Sequence, residues 1–399
     1  MTGAHVNLAA RRLGAGVIAA SDEFFGDKEN LLRAEPPGHQ PRTFGHKGQV
    51  VDGWETRRRR SPGHDWALIR LGAPGTVHAV VVDTAHFTGN YPAECSVDGC
   101  AAEGYPSPAE LLADGVTWTE LVPRSALAGD SENRFAVSDP RRFTHLRLAI
   151  YPDGGVARLR AEGDVVPDPR LLDGRPLDLA ALENGGTVAD ASDLFYSPPH
   201  NMISPGRAAS MGDGWETRRR RDSGHDWVLL RLAGAGHISQ AVVDTSCFLG
   251  NAPATAALRG CDSDGAAPDA AEWFELLPPA RLQPDTRHRL RIDPARSRCA
   301  THVRLEIHPD GGVARLRLFG ELTGDGRAGL GLAWFDRLPG DHALAVLAAE
   351  CGLAGPPAAR LAAGRPYAQP DRLAALLSGG EVPGLDAVAG RRVRALILG

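Results

Sequence analysis

Residues 52–71 read DGWETRRRRSPGHDWALIRL, and residues 213–232 read DGWETRRRRDSGHDWVLLRL. The two stretches are identical at 16 of 20 positions, across an offset of 161 residues. A repeat of that length is far longer than a solenoid unit, which has about 20–45 residues. The chain therefore contains two copies of one whole domain.

The agreement between the copies extends beyond these stretches. Upstream, SDEFF at 21–25 matches SDLFY at 192–196. Downstream, PDGGVARLR at 152–160 occurs again at 309–317. Two domains of the same fold therefore follow one another along most of the chain.

Changes in composition mark the domain boundaries. Between the copies, Pro167, Pro169 and Pro176 cluster among charged residues, as is typical of a linker. After the second copy the chain becomes rich in Ala and Leu and shows helical spacing of apolar residues. We predict a first repeat over 1–165, a second over 166–325 and a helical extension over 326–399.

Inside each copy the hydrophobic pattern has a period of two. Leu146, Leu148 and Ile150 alternate with other residues, which is typical of a β-strand. The chain has 47 Gly and 30 Pro, so many turns separate short elements. We predict an all-β fold in which each repeat is a β-sandwich.

Charge and hydropathy exclude several function classes. The chain of 399 residues has a formal net charge of −5, which argues against a nucleic-acid partner or a polybasic membrane surface. No run of 18 apolar residues and no signal-peptide pattern is present. The six cysteines form no CxxC pair, which fits reduced thiols. We expect a cytoplasmic homo-oligomer that binds a small molecule, without nucleic acid or membrane as a partner.

The stretch DTAHFTGN at 83–90 is the most site-like segment of the first repeat. His86 can exchange protons near neutral pH, Asp83 can orient it, and Thr88 and Asn90 can bind polar groups. The second repeat has Cys247 and Leu249 at the positions of His86 and Thr88. In the alternative interpretation, Asp83 and Asn90 only hold the turn together.

The run of four arginines that follows Glu55 and Thr56 is a second candidate. On a strand, Arg57 and Arg59 point to the same side, and their guanidinium groups could clamp a carboxylate. A solvated charged surface is the alternative. Lys28 is another candidate cation, present only in the first repeat.

Sequence motifs for cofactors are missing. The chain contains no HExxH, no Cys/His zinc spacing, no Walker loop, no GxSxG and no GxGxxG. No cofactor is therefore evident. A divalent metal remains possible, although no spacing along the chain indicates one.

Residues 7–322 resemble the allantoicase family, whose enzymes are also called allantoate amidinohydrolases. The resemblance is carried by both DGWETRRRR…GHDW blocks, both PDGGVARLR blocks, and the stretches SDEFF, KENLL and DTAHFTGNYP that begin at Ser21, Lys28 and Asp83. It implies two tandem jelly-roll sandwiches of the galactose-binding-like kind. It also implies hydrolysis of allantoate to ureidoglycolate and urea in purine catabolism.

Allantoate carries one carboxylate and two ureido groups on a single carbon, and this suggests roles for the candidates. We predict that Arg57 or Arg59 binds the carboxylate, with Lys28 as a second cation. His86 would act as acid or base with Asp83 as its orienter. Glu55 and Asn90 would contact the ureido groups, with Glu55 also taking part in catalysis, and Thr88 would bind substrate.

Some alternatives stay open from the sequence. Direct attack of water on the carbon that carries the ureido groups, and elimination of urea to an imine followed by hydration, both fit the residues. A tandem ligand-binding module without catalysis and a scaffold for other ureide enzymes are the competing functions, because sandwich folds often bind without reacting.

The extension has a resemblance of its own. WFDRLP at 334–339, Cys351-Gly352 and GRPY at 364–367 resemble the start of the ureidoimidazoline decarboxylases. The extension is shorter than such an enzyme, and we predict a helical appendage.

Overall fold

The computed structural model describes residues 5–38, 42–174, 176–263, 267–378 and 382–399. They form two compact units. One comprises His5–Val166 with Arg337–Pro339, and the other comprises Pro167–Asp336 with Gly340–Gly399. The helical extension thus belongs mainly to the same unit as the second repeat. The boundaries of the repeats at residues 165 and 325 stay a prediction from the sequence.

Twelve strands and one short α-helix form the regular part of the first repeat, besides short 3-10 helices. They are β1 (Val6–Asn7), β2 (Gly16–Ala20), β3 (Phe44–Gly45), β4 (Gly48–Gln49), β5 (Trp54–Glu55), β6 (Asp65–Asp83), β7 (Glu94–Cys100), α1 (Pro108–Leu111), β8 (Thr119–Ala126), β9 (Glu132–Ala136), β10 (Arg142–Tyr151), β11 (Gly155–Val156) and β12 (Arg158–Val165).

The long strand β6 organises the main sheet, whose order is β1-β12-β6-β10-β7-β8. Its first half pairs with β10 and β2, and its second half pairs with β12 and β9. All of these pairs are antiparallel. Because β6 changes partners along its length, it links the two layers of the sandwich. It ends at Asp83, so the candidate loop 83–90 lies at the edge of the sandwich, which we call the rim.

Small elements outside the main sheet shape that rim. β5 pairs with β11, so Trp54 and Glu55 lie opposite Val156 and Gly155. β3 and β4 form a separate hairpin. Residues 28–32, which contain Lys28, form a short 3-10 helix.

The second repeat has the same plan. Its strands are β13 (Leu177–Asp178), β14 (Thr187–Ala191), β15 (Trp215–Glu216), β16 (Asp226–Asp244), β17 (Thr255–Cys261), β18 (Phe274–Arg281), β19 (Arg287–Arg291), β20 (Ala300–His308), β21 (Gly312–Val313) and β22 (Arg315–Leu322). The main sheet has the order β13-β22-β16-β20-β17-β18. Among the described residues, no strands correspond to the hairpin β3–β4.

The tryptophan of each DGWETRRRR block belongs to the core of its own repeat. Trp54 and Trp215, from the two DGWETRRRR blocks, have no exposed surface. The indole N–H of Trp54 donates to the carbonyl of Asp22 at 2.7 Å, and that of Trp215 donates to the carbonyl of Asp193 at 2.9 Å. A buried indole needs such a partner, so each tryptophan fixes the SD segment beside its own arginine run.

Five helices follow β22. They are α2 (Gly324–Arg337), α3 (Gly340–Cys351), α4 (Gly355–Ala363), α5 (Pro370–Ser378) and α6 (Ala387–Leu398). They confirm the helical extension that the change in composition after the second repeat predicted. In the part of the chain that the structure describes, no helix combines the length and apolar character that crossing a bilayer requires.

Candidate active site

The loop after β6 has an unusual backbone that both repeats share. His86 has φ +68° and Cys247, its counterpart, has φ +71°, a left-handed conformation that few non-glycine residues adopt. The His86 N–H donates to the Asp130 carboxylate at 2.7 Å, and the Cys247 N–H donates to that of Asp285 at 2.8 Å. Both repeats therefore adopt the same backbone conformation in this loop, although the side chain at this position differs.

Packing beneath the loop fixes its height above the sheet. Phe87 is buried, and a Cβ on Gly155 would lie 2.0 Å from its ring. In the second repeat a Cβ on Gly312 would lie 1.9 Å from Phe248. Only glycine fits at these positions because the ring occupies the space of a side chain.

Asp83 is buried at the end of β6. Its carboxylate accepts from the backbone N–H of Ala85 at 2.8 Å, as that of Asp244 accepts from Ser246 at 2.9 Å. These contacts hold the turn in both repeats. A role of Asp83 in orienting the ring of His86 stays a prediction.

A pocket of about 250 Å³ lies against this loop in the first repeat. Its lining consists of Gly38, Gln49, Val50, Val51, Asp52, Ala85, His86, Phe87, Thr88 and Asn90. We call it the loop pocket. The ring Nε2 of His86 lies 3.1 Å from the carbonyl oxygen of Pro37, and since a carbonyl only accepts, Nε2 donates. The structure thus brings three predicted residues, His86, Thr88 and Asn90, to one cavity.

Glu55 reaches the loop pocket through Asn90. The side-chain amide of Asn90 donates to Oε1 of Glu55 at 2.7 Å. Burial raises the pKa of the Glu55 carboxyl above its ordinary value, and the hydrogen bond from Asn90 opposes part of this rise. A carboxyl with a raised pKa is suited to hold and release a proton.

The wall formed by Asp52 carries an excess of positive charge. Its carboxylate accepts from Arg33 at 3.0 Å and from Arg158 at 2.8 Å. The Arg158 side chain is 1% exposed, whereas that of Arg33 is 55% exposed. Two guanidinium groups against one carboxylate favour an anion beside this wall.

Arg57 and Arg59 lie in a different cavity. It measures about 220 Å³ and is lined by Ser21, Asp22, Arg57, Arg58, Arg59, Ser61 and Asp65. We call it the arginine pocket. Arg57 binds Asp22 and its guanidinium lies 5.3 Å from the Phe24 ring centroid, while Arg59 binds Asp65 at 2.7 Å. The structure therefore does not place these arginines on the lining of the loop pocket.

The second repeat repeats those ion pairs. Arg218 binds Asp193 and Arg220 binds Asp226, each at 2.8 Å. One difference is that Asp222, which takes the place of Ser61, also binds Nε of Arg220 at 2.9 Å. In the first repeat, Nε of Arg59 is buried and has no hydrogen-bond partner among the described residues.

Lys28, a candidate cation, and His64, from the GHDW block, each contact neighbouring side chains. Lys28 pairs with Glu23 at 3.2 Å and does not line the loop pocket. The ring of His64 packs on Tyr151, with 4.9 Å between centroids, while its neighbour Asp65 faces Arg59. The two members of the His64-Asp65 dipeptide thus contact different groups.

The counterpart rim in the second repeat keeps only part of the site. Asn251 donates to Glu216 at 2.6 Å, but Cys247 and Leu249 replace His86 and Thr88. The segment before the DGWE motif is also ten residues shorter, because the offset between repeats falls from 171 at Ser21 to 161 at Asp52. The hairpin that borders the loop pocket belongs to this extra segment.

Sequence reasoning missed Arg33, Arg158 and the role of Asp52. A signal for Arg33 was present, since the second repeat has Ser204 at that position. The change of offset was also a signal, because an insertion beside a candidate loop adds a wall to its site.

Comparison with known proteins identifies the family. The sequence pattern of the allantoicase repeat matches residues 6–166 and 177–323. A probable allantoicase of Streptomyces coelicolor is 55% identical over 337 residues, which cover 82% of this chain and 88% of the relative. The chain belongs to the allantoicase family. Among bacterial allantoicase relatives, one of Pseudomonas aeruginosa is 46% identical over 79% of this chain and 96% of its own length.

A solved allantoicase confirms the fold. The crystal structure of the allantoicase of Saccharomyces cerevisiae superposes with a TM-score of 0.69 at 33% identity, covering 80% of this chain and 94% of that one. The predicted family and the all-β fold with two tandem jelly-roll sandwiches and a helical extension are both confirmed. The helices after residue 323 lie outside the matched allantoicase repeats, and their resemblance to a decarboxylase stays a prediction.

Proposed function

We propose that the chain hydrolyses allantoate to ureidoglycolate and urea, and that the reaction takes place in the loop pocket of the first repeat. Membership of the allantoicase family supports the reaction. The location rests on one observation: Asn90, which donates a hydrogen bond to the half-buried Glu55, meets His86 and Thr88 at one cavity. The second repeat keeps the pair but has neither His86 nor Thr88.

Release of urea requires a proton on the departing nitrogen. Glu55 is suited to donate it, because burial favours its protonated form. Asn90 holds the Glu55 carboxyl in place and can contact a ureido group with its remaining donor and acceptor. We assign Glu55 as the general acid.

The attacking water, or the proton removed in an elimination route, needs a base. His86 is exposed at the pocket, and its Nε2 donates to the carbonyl of Pro37, a contact that orients the ring. An imidazole can accept and release a proton, and this suits the role. Thr88, also exposed on the lining, supplies a hydroxyl for the second ureido group.

The carboxylate of allantoate requires a cation near this pocket. Arg33 is the exposed guanidinium beside Asp52, and the second repeat has Ser204 at its position. Arg33, like His86 and Thr88, is thus a feature of the first repeat alone. Arg57 and Arg59, the cations predicted from sequence, are paired in the same way in both repeats, which supports a structural role for them.

The test is urea release from allantoate by the purified full chain, measured with and without a chelator. We expect one urea and one ureidoglycolate per allantoate. A chain that binds allantoate without releasing urea would be a ligand-binding module. Loss of turnover in Arg33→Ser, with turnover retained in Lys28→Pro, would support the assignment of the carboxylate to Arg33.

The assembly and the location of the protein remain part of the proposal. All six cysteines are free thiols, and this supports a reducing compartment such as the cytoplasm. A homo-oligomer stays a prediction that sedimentation of the purified chain would test.

A further inference from the structure

A cluster of metal-ligand types lies in the second repeat, at the end of β20. Ile307 pairs with Asp226 across the sheet, so His308 lies across from His225, the residue before β16. The two imidazole rings have centroids 4.5 Å apart. Glu306, two residues before His308, projects from the same face of β20.

The three side chains converge closely enough to share one ion. One ligand atom from each of His225, Glu306 and His308 lies within 4.8 Å of the other two. Ligands bound to a single metal at about 2.0–2.2 Å are separated by less than this distance.

The carboxylate of Glu306 is already oriented. Nε and an Nη of Arg304 donate to its Oε1 at 2.9 and 2.6 Å, which leaves Oε2 as the oxygen for a cation. Outer hydrogen bonds of this kind fix ligands in metal sites. The same ion pair also places a positive charge nearby, so the site requires strong ligands such as imidazole.

The cluster is not part of the shared frame of the two repeats. In the first repeat the corresponding residues are His64, Ala149 and Tyr151, and Tyr151 receives the guanidinium of Arg124 over its ring at 4.2 Å. Only the histidine before the long strand is common to both. The first repeat has the same sheet order with Ala149 and Tyr151 at these positions, so the fold does not require Glu306 and His308.

We propose that His225, Glu306 and His308 bind one divalent transition-metal ion of the zinc, cobalt and nickel class. Two imidazoles and one carboxylate are a donor set that these ions prefer over Ca²⁺ or Mg²⁺. Three protein ligands leave a coordination position for water or another ligand. None of the three residues corresponds to a residue of the loop pocket, so this site is independent of the proposed reaction.

A second cluster of ligand types supplies the control. His5, His78 and Asp164 of the first repeat also lie within 4.8 Å of one another. His5 and Asp164 are largely exposed, at 43% and 60% of their side chains. The described residues supply no outer hydrogen bonds to this exposed set, which should bind metal weakly, and we expect it to contribute nothing at micromolar metal.

The test is titration of the metal-free, tag-free full chain with Zn²⁺ by calorimetry and with Co²⁺ by visible absorption. We expect one equivalent bound by the wild type. Two variants introduce the residue that the first repeat has at the same position. His308→Tyr should weaken metal binding by at least about 100-fold, and Glu306→Ala by at least about 10-fold. His78→Ser, which introduces the second-repeat residue, should leave binding unchanged.

Thermal unfolding keeps the result interpretable. Because a metal that binds the folded state raises its stability, Zn²⁺ should raise the Tm of the wild type and of His78→Ser but not of His308→Tyr. Both variants of the cluster should show cooperative unfolding without metal. No bound equivalent in the wild type, unchanged affinity in both cluster variants, or loss of binding in His78→Ser would each overturn the proposal.

Discussion

The loops that follow β6 and β16 have the same backbone but different chemistry. Both place a non-glycine residue in the left-handed region and fix it with an aspartate. The first repeat uses this position for His86, and the second uses it for Cys247. Duplication thus preserved the contacts that hold the loop, while the side chains that face solvent changed.

The arginine runs teach the complementary lesson. Their ion pairs with Asp22 and Asp65 recur as pairs with Asp193 and Asp226. These ion pairs recur in the repeat that lacks His86, so folding explains them. The Glu55–Asn90 pair also recurs, but only in the first repeat does it lie beside His86 and Thr88. The features that differ are therefore the better guide to the reaction, and the predictions below exchange or remove matched residues in the two repeats.

The largest effect is expected at the glutamate of β5. Glu55→Gln cannot donate the proton that the departing urea nitrogen needs, so kcat should fall by about 10³-fold. Glu216→Gln, the matched change in the second repeat, should leave kcat within about 2-fold. Steady-state release of urea measures both, and equal losses in the two variants would show that both repeats work.

Exchange of the loop residue comes next. His86→Cys gives the first repeat the side chain of the second, and we expect kcat to fall by about 100-fold because acid–base catalysis by imidazole is lost. Cys247→His should create no activity in a chain that carries Glu55→Gln, since the second repeat is ten residues shorter beside this loop. Wild-type turnover in His86→Cys would remove His86 from the mechanism.

The amide beside Glu55 should alter the pH profile. Asn90→Ala removes the hydrogen bond that lowers the pKa of Glu55 while burial still raises it, so that pKa should rise further. A general acid is active when protonated, and the fall of kcat at high pH should therefore move to higher pH. We expect a maximal rate roughly 10-fold lower, from the lost hydrogen bond.

The matched control for this variant is Asn251→Ala. It removes the equivalent contact with Glu216 and should leave the pH profile unchanged. A fall that moves to lower pH in Asn90→Ala would contradict the assignment of Glu55 as the acid.

The smallest effect is expected in the arginine pocket. Ser61→Asp places a carboxylate beside Arg59, as Asp222 lies beside Arg220, and kcat/KM should change by less than about 5-fold because a partly exposed ion pair contributes at most about 1 kcal/mol. A fall of 100-fold or more would mean that the added carboxylate displaces that of the substrate. In that case Arg59 would be the substrate cation.

Several parts of the site were predictable because they follow from local pattern. The alternation in β10 indicated the all-β fold, and the residue types of the stretch 83–90 marked it as site-like; His86, Thr88 and Asn90 do meet at one pocket. The sequence did not predict that Arg57 and Arg59 lie in a separate pocket from this loop. β5 ends at Glu55, so Arg57 and Arg59 lie beyond the strand and its period of two does not set their sides. Their partners Asp22 and Asp65 lie on other segments, whose course the spacing leaves open.

The sequence by itself determined that two copies of one β-sandwich follow each other, because 16 of 20 identities and the period of two are properties of the chain. It also determined which residues differ between the copies. Only the tertiary structure decided which side chains meet. Glu55 and Asn90 are 35 residues apart, and His225 and His308 are brought together by antiparallel pairing. Such contacts depend on strand register and on the path of the connecting loops, which side-chain periodicity does not specify.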